Sequence, residues 1–181
     1  MKSEKIKEEP SAKDPKQKNI GALGEELVKY NLLARGWDVI NLNLIGNNKP
    51  NADLLAVKGK HVVRLQVKTS QYYNWVQLGW ITNERSIVNS KVGDPADFFV
   101  MVGHKGPNNY SIHIIPEKYV KQWEVRNRQA HAAIGRSKNP GYMYFGEKVR
   151  NTKIAINQSG SEFAKFRDAW DSLSPSELEK T

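Results

Sequence analysis

The strongest constraint on how this chain folds is a pair of alternating runs, Asp53–Lys58 and His61–Thr69, joined only by Gly59-Lys60. Two residues between strands demand a tight hairpin, and glycine first suits a type II′ turn, whose first central residue needs positive φ. That turn pairs Lys58 with His61, which sets Val57 opposite Val62, Leu55 opposite Arg64 and Asp53 opposite Gln66. Side chains alternate along a strand, so Leu54, Ala56, Val63, Leu65 and Val67 make one apolar face. Asp53, Gln66 and Lys68 then share the other face. A slip of one residue would exchange the two faces, so this register decides what the hairpin can do.

The rest of the chain supplies partners for the hairpin. A helix is expected from Asn19, as N-cap, to Arg35, with Gly36 as the residue that ends it. Ile20, Leu23, Leu27, Tyr30 and Ala34 form its main apolar stripe, and Glu25, Val28 and Leu32 a thinner second one. Further strand-like runs are Trp37–Ile45, Trp75–Trp80, Asp97–Val102 and Tyr110–Ile115, separated by Gly-, Asn- and Pro-rich turns. Asp97 reads as a solvated residue ending a turn. Pro116 opens a second helix running to about His131, and an aromatic patch (Tyr142, Tyr144, Phe145) and a strand at Lys153–Asn157 follow. Ser159 and Glu162 form a capping-box pattern for a last helix, with Phe163, Phe166, Trp170 and Leu173 along one side. The expected fold is α/β, a mixed sheet flanked by helices in a single domain. Residues 1–18 read as a charged, flexible tail. The domain then spans 19–181, with a core at 19–115, a basic extension at 116–153 and a closing strand and helix at 154–173.

Composition narrows the function. There is no cysteine, which excludes disulfides and thiolate zinc sites, and the four histidines show no metal-binding spacing. No apolar run is long enough to span a bilayer and the N-terminus is charged, so a soluble, cytoplasmic protein without a membrane partner is expected. The net charge is +9, and residues 118–153 hold nine bases against two acids, Glu124 and Glu147. Lys118, Lys121, Arg126, Arg128, Arg136, Lys138, Lys148 and Arg150 are therefore candidates for binding a polyanion, since neutralising phosphates releases condensed counterions. A solvated helix face would instead mix both signs.

Asp53, Gln66 and Lys68 on one face suggest phosphate chemistry. A hard cation such as Mg²⁺ or Mn²⁺ takes oxygen ligands, which Asp53, the Gln66 amide and the Val67 carbonyl can supply. Such a cation neutralises developing charge in phosphodiester cleavage and acidifies a bound water. A neighbouring lysine can orient that water or stabilise the charged transition state. Thr69 and Ser70 stand near enough in sequence to contact a phosphate beside Lys68. Trp37 and Trp170 read as core residues.

The run Gly21-Ala22-Leu23-Gly24-Glu25, then Gly36-Trp37, Asp53-Leu54-Leu55-Ala56 and Leu65-Gln66-Val67-Lys68-Thr69, resembles the PD-(D/E)XK, or restriction-endonuclease-like, nuclease superfamily. Within it the pattern is most similar to the Holliday-junction-resolvase and Mrr-like branches. The resemblance covers roughly residues 20–70 and implies catalytic roles for Asp53, Gln66, Lys68 and Glu25. Asp53 and Gln66 would be metal ligands, Lys68 the catalytic lysine, and Glu25 a helix-borne ligand of metal or water. Two departures stand out: the Pro-Asp pair is stretched to Pro50-Asn51-Ala52-Asp53, and Gln66 replaces the usual acid. The expected function is a divalent-metal-dependent endonuclease hydrolysing DNA, with a homodimer as a further expectation. A non-cleaving nucleic-acid-binding module of the same fold and an RNA-directed nuclease are the alternatives.

Overall fold

In the computed structural model the chain is described at residues 15–44, 52–70, 75–77, 96–106, 108–123, 126, 142–144 and 163–174, and the structural statements below concern these residues. Helix α1 (Pro15–Leu33) leads into β1 (Asp38–Asn41) and a 3-10 turn (Leu42–Leu44). The hairpin β2 (Leu54–Lys58) and β3 (His61–Ser70) follows, then β4 (Trp75–Gln77), β5 (Phe98–Gly106) and β6 (Asn109–Pro116). A helix at 117–123 (α2), strand β7 (Tyr142–Tyr144) and a 3-10 turn at Trp170–Leu173 complete the described elements. The main sheet has the order β1-β2-β3-β5-β6, and β4 pairs with β7 separately. Only β3 and β5 run parallel; the other pairings are antiparallel, so the sheet is mixed as expected.

The hairpin adopts the register that its two-residue loop dictates, with Lys58 opposite His61, Val57 opposite Val62 and Leu55 opposite Arg64. Gly59 has φ +61° while Lys60 is not among the positive-φ residues, the sign pattern of the glycine-first turn. Leu54, Ala56, Val63, Leu65 and Val67 are buried on one face, beneath α1 and beside Val100 and Val102 of β5 and Ile112 and Ile114 of β6. Leu54 and Leu65 have no exposed surface; each contributes about 2 kcal/mol of transfer free energy to the core.

Helix α1 ends at Leu33, two residues before the expected Arg35, and Gly36 closes it as expected. Gly36 has φ +75° and donates its N–H to Leu33 O at 2.9 Å, while Trp37 N–H reaches Leu32 O at 3.1 Å. These two bonds satisfy the last carbonyls of the helix, and the Trp37 and Leu32 side chains meet in the core. The start lies earlier than Asn19, at Pro15, a residue whose missing N–H costs nothing in the first helical turn.

The buried face of α1 differs from expectation. Gly24, Val28 and Leu32 are buried, whereas Leu23, Tyr30 and Leu33 are 39%, 69% and 50% exposed. The cause is close packing through glycine: a Cβ built on Gly24 would stand 2.8 Å from Thr69 Cβ on β3. A helix that approaches a strand this closely must present its smallest residues, so the thinner stripe wins over the more apolar one. Thr69 is thereby a packing residue beneath α1, and Ser70 is buried.

The last segment also departs from expectation. Its four apolar residues are all buried, but they do not line one helix. Phe163 and Phe166 pack with Phe99, Met101, Val120 and Trp123 on one face of the sheet, while Trp170 and Leu173 join the core under α1 on the other. Between them the chain runs along the edge strand: Ile114 N–H donates to Phe166 O and Asp168 N–H to Ile112 O, both at 2.9 Å. The crossing turns at Asp168, whose φ is +51°. Asp97 is likewise not a solvated turn end. Its Oδ2 accepts from Arg64 N–H at 2.7 Å and its Oδ1 from Arg64 Nη2 at 2.9 Å, a fork that fixes the start of β5 against β3.

Candidate active site

The site lies where the hairpin ladder stops. Past Leu54 the bonding between the strands passes to Asp53, whose N–H donates to Leu65 O at 2.8 Å and whose O accepts from Leu42 N–H at 2.9 Å. With its backbone held on both sides, Asp53 has little freedom left. Its Oδ2 accepts from Val67 N–H at 2.8 Å and from the Gln66 side-chain amide. The Asp53–Gln66 approach is the cross-strand neighbour relation that the turn implies.

The second carboxylate comes from α1. Glu25 follows the close-packed Gly24, so the helix-to-strand contact that excludes a Cβ also brings Glu25 to the end of β1. There Asn43 Nδ2 donates to both Glu25 oxygens at 3.2 Å and to Asp53 Oδ1 at 3.3 Å. Asn41 Nδ2 reaches Glu25 Oε2 at 3.5 Å, and Asn41 Oδ1 accepts from Asn43 N–H at 2.9 Å. This side-chain-to-backbone bond two residues on bends the chain out of β1 into the 3-10 turn and so aims Asn43 at the carboxylates. Burial, and then the negative charge of Asp53, push the Glu25 carboxyl above its ordinary range, while the bonds from Asn43 and Asn41 pull it back.

Glu25, Asp53 and Gln66 are thus brought together. Val67 is in the same place through its backbone, and Lys68 lies two residues past Gln66 on the same strand face. Asn41 and Asn43 were not among the sequence candidates. The signal that would have found them is the Asn-Leu-Asn spacing at the end of β1, where Asn41 pairs with Leu54, the neighbour of Asp53. Among the described residues no three His, Cys, Asp or Glu gather in one place, so the site holds two carboxylates and neutral oxygen donors.

Of the basic candidates, Lys118, Lys121 and Arg126 are described and exposed, with Lys121 ion-paired to Glu117. Arg128, Arg136, Lys138, Lys148 and Arg150 lie outside the described residues. The structure adds Lys165, whose Nζ lies 4.6 Å from the Tyr119 ring centroid, beside Lys118 at 5.7 Å from the same ring. Lys118 of α2 and Lys165 of the edge-crossing segment thus lie beside the same ring. Among the described residues no helix is long and apolar enough to cross a membrane.

No protein-family model matches the chain, and no curated protein matches it in sequence. Among solved structures, the chain is similar to the bacterial homing endonuclease I-Ssp6803I, with a TM-score of 0.54 and 16% identity over 90% of this chain and 94% of that one. A second similarity, at TM-score 0.34 and 14% identity, is to Hjc of Archaeoglobus fulgidus, a Holliday junction resolvase from an archaeal hyperthermophile; it covers 53% of this chain and 71% of that one. The mixed sheet with α1 across it is a restriction-endonuclease-like fold, the class expected from the sequence.

Proposed function

We propose that this protein is a divalent-metal-dependent endonuclease that hydrolyses DNA phosphodiester bonds. The observation that carries the reading is the gathering of Glu25, Asp53 and Gln66 through short polar contacts, with Lys68 on the same strand face, in a fold shared with a homing endonuclease. The donors suit Mg²⁺ or Mn²⁺. They are hard oxygens, and a side-chain amide N–H group already stands among three of the carboxylate oxygens, so the place favours positive charge. Asp53, the Gln66 amide oxygen, the Val67 carbonyl and Glu25 would hold the ion. A bound divalent cation would neutralise charge on the scissile phosphate and acidify a water.

The chain's own residues do the rest. Gln66 donates to Asp53 and so steadies the carboxylate without adding a second negative charge beside it. Lys68 is the cation that orients the attacking water or stabilises the charged transition state. Lys118, Arg126, Lys165 and the basic residues up to Arg150 hold the DNA backbone, contacts that position the duplex without reading its sequence. Two copies acting together would cut both strands.

Incubating the purified protein with supercoiled plasmid, with Mg²⁺, with Mn²⁺ and with EDTA, tests the reading. Nicked or linear product that requires the cation supports it. The missing acid at position 66 favours one other reading, a module that binds nucleic acid without cutting; retarded but intact plasmid in every condition would select it.

A further inference from the structure

We propose that Asn43 sets the metal affinity of this site, because its side-chain amide holds the same carboxylate oxygens that a divalent cation would seek. The inference rests on the metal-dependent reading above and assigns it a positioning residue that none of the sequence motifs contains.

The geometry is specific. One amide nitrogen lies 3.2 Å from both oxygens of Glu25 and 3.3 Å from Asp53 Oδ1. An amide has two N–H groups, so three acceptors around it leave each bond shared and long, closer to a partial positive charge among anions than to a directed hydrogen bond. Two carboxylates held this close repel, and the Asn43 amide is the group that bonds to both. Asn43 is itself exposed, so it is held by these contacts and by Asn41, not by packing. A cation held by Glu25 and Asp53 would compete with the amide for the same oxygens, and the strength of the displaced contacts would be subtracted from its affinity.

Removing the amide therefore tightens metal binding, whereas a residue that merely shaped the loop would weaken it on removal. The test titrates Mn²⁺ by calorimetry into the full chain and into Asn43→Ala, with Asn43→Ser as a second variant should alanine compromise folding. Thermal melting in EDTA and in Mn²⁺ runs in parallel. Removal of hydrogen bonds to charged groups at an exposed position implies an Mn²⁺ dissociation constant lower by about three- to tenfold in the variants. Their melting temperature in EDTA falls, and their gain on adding Mn²⁺ exceeds that of the wild type. Unchanged or weaker Mn²⁺ binding by the variants, with binding by the wild type, overturns the role of Asn43 and leaves the nuclease reading standing. Absence of Mn²⁺ binding in all three proteins overturns both.

Discussion

Gly24→Ala is the substitution that most directly couples packing to the site. The added Cβ would lie 2.8 Å from Thr69 Cβ and 2.9 Å from Thr69 Cγ2, distances that real Cβ atoms essentially never show. Thr69 is held in a central strand between β2 and β5, so the helix must give way. Overpacking of this kind costs about 1–3 kcal/mol, against a gain of less than about 1 kcal/mol from the better helix propensity of alanine. A net loss of about 1–2 kcal/mol in urea unfolding is expected, and because Glu25 is the next residue, cleavage should fall by more than stability alone explains. The double variant Gly24→Ala/Thr69→Ala recovers part of both losses, since it removes Cγ2 and a buried hydroxyl that has no hydrogen-bond partner. A Gly24→Ala protein of wild-type stability, or a double variant whose losses simply add, would refute the close helix-to-strand packing.

Other perturbations follow from single residues. Burial, and then the Arg167 charge, lower the His113 pKa from 6.5 to about 4. The unfolded chain takes up the proton first as pH falls, so stability is full above about 6.5 and declines by about 3 kcal/mol as pH falls to about 4; urea midpoints across that window check it, and His113→Leu should flatten the decline. Gln66→Glu replaces a donor to Asp53 with a like charge, so the Mn²⁺ concentration for half-maximal nicking should fall while the melting temperature in EDTA drops at neutral pH; Gln66→Leu should raise the metal requirement. DNA affinity should fall with salt at a log–log slope near about −4.5 if about five phosphates are neutralised, and charge reversal at Lys118, Arg126 and Lys165 should flatten it.

The hairpin was legible because its determinants are local: a glycine-first turn and strict alternation leave one register, and that register brings Asp53 to Gln66. The glycine that closes α1, Gly36, was legible for the same reason. The buried face of α1 was not, because periodicity counts apolar side chains, and here the closest contact is made by the absence of one, at Gly24. The closing segment misled in another way. Phe163, Phe166, Trp170 and Leu173 repeat at helical spacing, yet that spacing equally serves a chain that buries two residues on each side of a sheet edge. Asn41 and Asn43 fell inside the strand-like run Trp37–Ile45, which ends at Asn41 and turns at Leu42–Leu44, and only the return of α1 over the sheet brings Glu25 to them. Arg64 and Asp97 are distant in sequence and join only through the parallel pairing of β3 with β5, which no local pattern announces.

As a nuclease, the protein would use Asp53 and Lys68 on the reacting phosphate and its basic residues for affinity. The most direct measurement is cleavage of supercoiled plasmid in Mg²⁺ or Mn²⁺ by the wild type, Asp53→Ala and Lys68→Ala, with DNA affinity of each measured in EDTA at one fixed salt concentration. Cation-dependent cutting by the wild type alone and nearly equal affinities for all three are expected. Wild-type-like cutting by either variant, in preparations free of contaminating nuclease, would contradict these expectations.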